Sequence, residues 1–293
     1  MRVTFASFFR NGVQDINSAA EELVRRQREV SSLKRLHVPS DDPSAMSAVV
    51  SERSEMRLYD QYVEATDSVD SRLRVVDSAM ADIIRNLTAA QATAAATRNS
   101  FVTVEQQEAY ALQLEGIRDS ILADVNTQFR GTHLFSGAAS LTAPFAKNAL
   151  GTISPYQGNS NPMLIDIDRN RAAEVTVDGG SVVGDLFTVF DDLIAAVRAG
   201  DSAAIDVGIA GLSSAFDRVT NAQSRVGNTL SIIEGHKMRL GDMRRAADAR
   251  RSTLEDANLA ESITAMQRAD AAHRAALGAV SSASRLSLLD YLR

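Results

Sequence analysis

The chain has 293 residues, of which 31 are basic and 37 acidic, so its formal net charge is −6. It contains no Cys, which excludes a disulfide scaffold, a Cys-ligated zinc finger and a thiol nucleophile. A mildly acidic chain is a poor candidate for nucleic-acid binding. The sequence contains no run of eighteen apolar residues, so it predicts no membrane span. The 45 Ala, with 5% aromatic residues and no Trp, indicate long helices that pack closely.

The first predicted element is an amphipathic helix over residues 5–36. Its apolar positions alternate in spacings of four and three, which keeps one face toward a partner helix. This stripe consists of Phe9, Val13, Ile16, Ala20, Leu23, Gln27 and Val30. Gln27 interrupts it, and Pro39 ends the stretch.

A turn with helix-capping chemistry follows, formed by Ser40, Asp41, Asp42 and Pro43. Ser and Asp side chains accept hydrogen bonds from the free N–H groups at a helix start, and Pro suits the first helical turn. We therefore predict that a new helix begins near Pro43. The two acids could also suggest a metal site, but two carboxylates alone do not make a coordination sphere, so capping is the favoured interpretation.

The second predicted helix is very long, from about residue 44 to 97, because this stretch contains no Pro or Gly. At about 1.5 Å per residue it would form a rod of roughly 75–80 Å, so we expect an elongated molecule. A strict heptad stripe runs along it: Tyr59, Tyr62, Thr66, Val69, Leu73, Val76, Met80, Ile83, Leu87, Ala90 and Ala94. Thr103 and Gln106 form a capping box that opens a third helix, which should end near Gly131.

The middle of the chain, about residues 141–183, loses the helical period and predicts a small β-rich insert. Residues 163–168 and 173–178 have the composition of strands, and Gly179 with Gly180 predicts a turn after the second. Asp166 and Asp168 could suggest a metal site. Alternation along a strand places both on one solvent face, which is the favoured interpretation.

Helical periodicity returns from about residue 184, with a long heptad-patterned stretch over residues 202–249 and a last helix over residues 254–292. The last helix carries an apolar stripe and an Ala-rich stripe, so we expect it to be covered on more than one side. Together with the first helix it supplies a predicted assembly interface: Phe9, Val13, Ile16, Leu23, Val30, Ile263, Met266, Ala269, Ala272, Ala276, Leu277, Ala279, Val280, Ala283, Leu286 and Leu289.

No catalytic signature is present in the sequence. It contains no phosphate-binding glycine loop with a Lys, no G-x-S-x-G and no H-E-x-x-H. The four His residues are far apart, and only His273 lies on an apolar stripe, where an interface position is the favoured interpretation. We therefore predict neither an enzyme nor a catalytic, cofactor or metal site.

The predicted fold is mainly α, an elongated antiparallel helical bundle or coiled coil built from the N- and C-terminal segments with a small β-rich insert. Its five predicted segments are an N-terminal assembly helix (1–42), the first half of a helical rod (43–140), the insert (141–183), the second half of the rod (184–253) and a C-terminal assembly helix (254–293). Exposed apolar helical faces must be buried by something, and head-to-tail contacts of this kind make rings or helical layers.

Four motifs in order give the chain a resemblance to the flagellin superfamily and, within it, to the hook–filament junction proteins. The turn at Ser40, Asp41, Asp42 and Pro43 is similar to the superfamily's S-x-D-D-P turn. Residues 126–137, which include Gly131, Leu134, Phe135, Ser136 and Gly137, resemble its N-x-x-x-x-G-x-Y-L-F-S-G segment, with His133 in place of the usual aromatic residue. Asn258 lies in a stretch, residues 256–261, that resembles the superfamily's D-x-x-N-x-A-E pattern with one residue fewer between the Asp and the Asn, and residues 286–292 resemble the ending of a junction protein.

The resemblance implies a bacterial extracellular structural protein that is exported without a cleaved signal peptide through the flagellar export channel. Its implied partners are a hook-associated protein on the hook side, flagellin on the filament side, further copies of itself and an export chaperone. Filament flagellin itself shares the turn and the helical ends and stays an alternative. A cytoplasmic coiled-coil regulator or chaperone is a more remote one, and an enzyme is the most remote.

Overall fold

The computed structural model describes the backbone of residues 5–98, 103–148 and 151–291, and the side chains of residues 9–98, 103–148 and 151–282. It is mainly helical with small antiparallel strand pairs, which confirms the predicted mainly-α class with a small β-rich insert. The helices are α1 (Phe5–Ser32), α2 (Pro43–Thr97), α3 (Val104–Val125), α4 (Gly179–Val183), α5 (Leu186–Ala199), α6 (Ser202–Glu255) and α7 (Leu259–Tyr291). The strands are β1 (Gln128–Phe129), β2 (Thr132–His133), β3 (Leu164–Asp168) and β4 (Arg171–Glu174).

The chain divides into two compact units. The terminal unit comprises Met1–Leu58 and Met243–Arg293, and the central unit comprises Tyr59–Asp242. Helices α1 and α7 lie in the terminal unit together with the start of α2 and the end of α6. The central unit holds the rest of α2 and α6, with α3, α4, α5 and all four strands.

The core of the central unit is built from the predicted heptad stripe of α2. The stripe residues Val69, Leu73, Val76, Met80, Ile83, Leu87, Ala90 and Ala94 are each at most 2% exposed. They form one cluster with apolar residues of α3, α5 and α6, including Leu114, Phe190 and Leu212. Helix α6 runs unbroken through five glycines; a Cβ at Gly208 would lie 2.7 Å from Leu193 Cδ1, so this glycine allows close packing of α5 and α6.

The predicted end of the third helix near Gly131 is wrong. Helix α3 begins with the predicted capping box but ends at Val125, with Asn126 as its C-cap. Arg130 and Gly131 have positive φ angles of 50° and 79° and form the tight turn between β1 and β2. Positive φ at both central residues matches the twist of a two-residue hairpin. The helical period could not distinguish a glycine that ends a helix from one that turns a hairpin.

The β-rich insert matches the prediction in its first strand but not in its second. Strand β3 covers nearly the predicted residues, whereas β4 spans Arg171–Glu174 instead of residues 173–178. The predicted turn at Gly179 and Gly180 is also wrong, because both residues open α4, whose N-cap Asp178 accepts a hydrogen bond from the Gly180 N–H. The N–H of Val175 still bonds to the Met163 carbonyl next to β3, but the N–H of Val177 bonds to the Leu134 carbonyl, so the pairing does not extend to residue 178.

Candidate assembly interface

Helices α1 and α7 pack against each other in antiparallel orientation, as the sequence predicts for the two terminal segments. Near one end of the pair, a Cβ built on Gly12 would lie 2.6 Å from Val280 Cγ2. Near the other end, the Ser262 hydroxyl donates to the carboxylate of Glu29 at 3.1 Å. Residues therefore face each other where their numbers sum to about 291, which sets the register of the pair.

The structure separates the predicted interface residues into two sets. The side chains that are buried or half-buried are Ile16, Leu23, Val30, Met266, Ala269, Ala276 and Val280. The exposed ones are Phe9, Val13, Ile263, Ala272, Leu277 and Ala279. The side chains of Ala283, Leu286 and Leu289 lie outside those that the structure describes.

The large apolar side chains of the exposed set and two further residues are grouped as the outer face of the terminal helix pair. Val24 and Leu259 are also exposed large apolar side chains on α1 and α7. Val24 lies off the four-and-three stripe, so the periodicity gave no signal for it. We call Phe9, Val13, Val24, Leu259, Ile263 and Leu277 the outer face; Phe9 is 49% and Leu277 46% exposed.

The α1–α2 linker and the α6–α7 linker bind each other through their backbones. The N–H of Arg35 donates to the carbonyl of Glu255 at 2.8 Å, and the N–H of Ala257 donates to the carbonyl of Leu33 at 2.9 Å. The Arg35 guanidinium also donates to the Leu254 carbonyl at 3.0 Å. We call these contacts of residues 33–35 with residues 254–257 the linker bridge.

Glu255 is a buried carboxylate at the linker bridge. It pairs with Lys34, Arg53 and Arg251 at 2.5, 2.6 and 3.2 Å. Burial acts to raise the pKa of Glu255, but the hydrogen bonds from Lys34 and Arg53 outweigh it and hold the pKa below its usual value. The carboxylate is therefore charged at neutral pH.

The two aspartates of the predicted capping turn have separate structural roles. Asp41 accepts hydrogen bonds from the backbone N–H groups of His37 and Val38 at 2.9 and 3.0 Å, which lower its pKa. Asp42 accepts the N–H of Ala45 at 3.0 Å and thereby caps α2, and this bond lowers its pKa. Ser40 is exposed and Pro43 is the first residue of α2. The turn therefore has the predicted capping chemistry, supplied by the aspartates.

Asn258 has the same role at the start of α7. Its side-chain oxygen accepts the N–H of Ala260 at 3.2 Å and of Glu261 at 3.4 Å. Four residues after it, Ser262 of α7 contacts Glu29 of α1. The family-like stretch around Asn258 is thus a helix cap that sets where the terminal pair begins.

The segment of residues 133–137 lies in the central unit and anchors the insert there. Leu134 and Phe135 are fully buried, and their carbonyls accept the N–H groups of Val177 and Gly179. Gly137 has φ +60°, and a Cβ there would lie 2.0 Å from the Asn159 carbonyl oxygen, so only glycine fits.

Two polar side chains of the same segment differ in their bonding. His133 is buried and lies 3.0 Å from the Gln128 side-chain amide and 3.1 Å from the Asn126 carbonyl. These contacts give the buried imidazole ring of His133 two polar partners. The Ser136 hydroxyl is fully buried with no hydrogen-bond partner among the described residues.

Two side chains in the insert region, Asp168 and His236, lie close to each other. Asp168 lies 3.8 Å from His236, which bonds to the Ile167 carbonyl. Within the described ranges, no group of three or more His, Cys, Asp or Glu side chains is arranged to hold a metal ion. His273 lies on the half-buried face of α7, and its Nδ1 is buried without a hydrogen-bond partner in the described part of the chain.

Comparison with known proteins relates this geometry to the flagellum. Residues 10–140 match the bacterial flagellin N-terminal helical region. The chain is 23% identical over 262 residues to flagellar hook-associated protein 3 of Escherichia coli K12, covering 80% of this chain and 81% of that protein. This chain is a homologue of flagellar hook-associated protein 3. The Salmonella typhimurium LT2 protein of that name is also 23% identical, over 79% of this chain and 80% of its own length.

A solved structure supports the fold. A putative flagellar hook-associated protein from Vibrio parahaemolyticus superimposes with a TM-score of 0.70 at 18% identity, over 74% of this chain and 100% of that one. At this identity the likeness shows the fold alone. The relatives found by sequence are structural hook-associated proteins of the flagellum and not enzymes. None of the helices in the described ranges is long and apolar enough to cross a membrane.

Proposed function

We propose that this chain is a structural adaptor that joins the hook-associated region of the bacterial flagellum to the flagellin filament. The observation that carries the proposal is the similarity to hook-associated protein 3 over about four fifths of both chains. A match of that extent covers most of both chains rather than one shared segment. The flagellin N-terminal helical region at residues 10–140 adds the link to the filament side.

The proposed assembly surface is the outer face of the terminal helix pair. Its apolar side chains stay 36–51% exposed within the described part of the chain, and apolar surface of this kind marks an interaction site. Neighbouring copies would bury it head to tail, which produces a ring or a short helical layer. The half-buried set, including Met266 and Ala269, would hold α1 and α7 together within each copy by coiled-coil packing, while the predicted Ala272 and Ala279 would face a neighbour.

The proposed partners are a hook-associated protein on the hook side and flagellin on the filament side. Before secretion, an export chaperone would bind the C-terminal region. The chain would then leave the cell without a cleaved signal peptide and function outside it. These proposals rest on the resemblance to the junction proteins and on the names of the relatives.

Deletion of the gene tests the proposed function. We expect cells with hooks but no attached filaments, with flagellin released into the medium, and recovery when the full chain is supplied again. Normal filaments in the deletion strain would contradict the adaptor function.

Filament flagellin is a second candidate, favoured by the match of residues 10–140 to the flagellin N-terminal region. The purified chain distinguishes the two functions, because extended self-polymerisation would favour flagellin and short assemblies would favour the adaptor. Cell fractionation adds a further test. Retention in the cytosol of flagellated cells would contradict both and favour a coiled-coil regulator.

A further inference from the structure

We propose that Glu255 is the positioning residue that fixes the α1–α7 pair on the ends of α2 and α6 within the terminal unit, and that assembly depends on it. The assembly part of this proposal rests on the proposed function. The positioning part rests on contacts within the terminal unit alone.

The first observation is the convergence of three cations on one buried carboxylate. The Glu255 side chain is 3% exposed. Lys34 reaches it from the α1–α2 linker, Arg53 from α2, and Arg251 from the preceding turn of α6. One carboxylate therefore connects three separate segments at the point where the terminal pair begins.

The second observation is the linker bridge itself. The carbonyl of Glu255 accepts the N–H of Arg35, so the same residue holds the linker by its side chain and by its backbone. Leu33, which starts this linker, has a φ angle of +58°, a conformation that a non-glycine residue adopts at a cost. Such a conformation persists where the surrounding contacts hold it in place.

The chemistry explains why a charged group is needed. A buried carboxylate is stable only when its charge is matched, and its loss leaves the partner cations without a counter-charge. Lys34 and Arg53 are each close to half exposed, so they would turn toward water when the carboxylate is neutralised. Lys34 would then no longer hold the linker, and the backbone bonds of the bridge would open more often.

The same helix ends offer a matched control. Glu52 of α2 pairs with Arg250 of α6 at 2.8 Å, and this contact joins the two helices without using a residue of 33–35. Glu52→Gln therefore removes a carboxylate that joins α2 to α6 without touching the linker bridge. Glu255→Gln removes one that also holds the linker.

The experiment measures hydrogen exchange in the full chain for peptides covering residues 33–36 and 255–258. Glu255→Gln should speed exchange there at least about tenfold, with little change in peptides of the central unit. Glu52→Gln should leave the same peptides within about twofold of wild type. Lys34→Gln is the second variant, because it removes only the linker cation; it should reproduce part of the effect even where Glu255→Gln disturbs folding.

Assembly is then scored in a deletion strain as the fraction of hooks that carry filaments. Faster exchange together with fewer filaments in Glu255→Gln and Lys34→Gln, but not in Glu52→Gln, supports the proposal. Unchanged exchange in Glu255→Gln overturns it, and so does faster exchange with normal filaments. Failure of the wild-type chain to restore filaments would contradict the proposed function instead, and the exchange result would still decide the role of Glu255 in the bridge.

Discussion

The central and terminal units carry the same heptad pattern but bury it to different extents. In the central unit, Val76, Ile83 and Leu87 of α2 are fully buried by α3, α5 and α6. In the terminal unit, α1 and α7 cover only one face of each other, and Phe9 and Leu277 stay close to half exposed. Periodicity therefore predicts that a helical face will be buried, but it does not say which molecule buries it. The predictions below test this contrast.

The largest effect is expected in the central core. Leu87→Ala removes a fully buried side chain and should lower the free energy of unfolding by about 2–5 kcal/mol, because lost contacts and a cavity add up. Urea unfolding measures this. Leu112→Ala on the exposed face of α3 is the control and should change it by less than about 0.5 kcal/mol. Equal effects would mean that the core is not where the structure places it.

The terminal pair should respond in opposite directions to two glycine replacements. Gly12→Ala places a Cβ against Val280 and should destabilise the α1–α7 pair by about 1 kcal/mol net, since crowding exceeds the gain in helix propensity. Gly278→Ala has no atom within 4 Å of its new Cβ and should stabilise α7 by up to about 1 kcal/mol. Thermal unfolding of both variants checks the signs. A stabilising Gly12→Ala would contradict the close approach of the two helices.

Helix capping gives a smaller effect in the terminal unit. Asn258→Ala removes the side-chain acceptor at the start of α7 and should cost about 1 kcal/mol. Ser40→Ala is the control, because Ser40 is exposed and the aspartates make the capping bonds; its effect should stay within about 0.5 kcal/mol. Thermal unfolding compares the two variants. A larger loss of stability for Ser40→Ala than for Asn258→Ala would contradict the assignment of the capping side chains.

The smallest expected effect is a change with pH in the stability that Glu255 contributes, and this change is confined to acidic pH. Its pKa is lowered in the folded chain, so its charge stabilises the fold above the unfolded-state pKa of about 4.3, and this stability is lost as the pH falls through the folded-state pKa. The difference in thermal midpoint between wild type and Glu255→Gln should be constant from about pH 7 to 5 and shrink below that. A difference in thermal midpoint that grows on acidification would contradict a lowered pKa of Glu255 in the folded chain.

The sequence predicted most of the fold because the long helices carry strong local signals. Pro43 and the absence of further Pro or Gly located α2 almost to the residue, and the Thr103 capping box located the start of α3. The errors fell where tertiary contacts decide. Gly131 turns a hairpin, and Asp178 caps a short helix where Gly179 and Gly180 had predicted a turn.

The candidate interface was less predictable than the fold. The apolar stripes predicted an interface on α1 and α7, but the buried and the exposed residues of these helices separate only once the antiparallel register is known. For Glu255 the sequence shows only the helical i,i+4 spacing to Arg251, because Arg53 and Lys34 lie 202 and 221 residues away along the chain. A buried charge cluster of this kind depends on the tertiary structure, which no local pattern encodes.

The central claim is that the outer face of the terminal pair is buried by another molecule in the flagellum. The double variant Ile263→Ser, Leu277→Ser tests it most directly in cells that lack the wild-type gene. Unfolding should stay within about 0.5 kcal/mol of wild type. The fraction of hooks with filaments should fall at least about tenfold, because two buried apolar contacts are lost. A folded variant that assembles filaments at the wild-type level would contradict the claim.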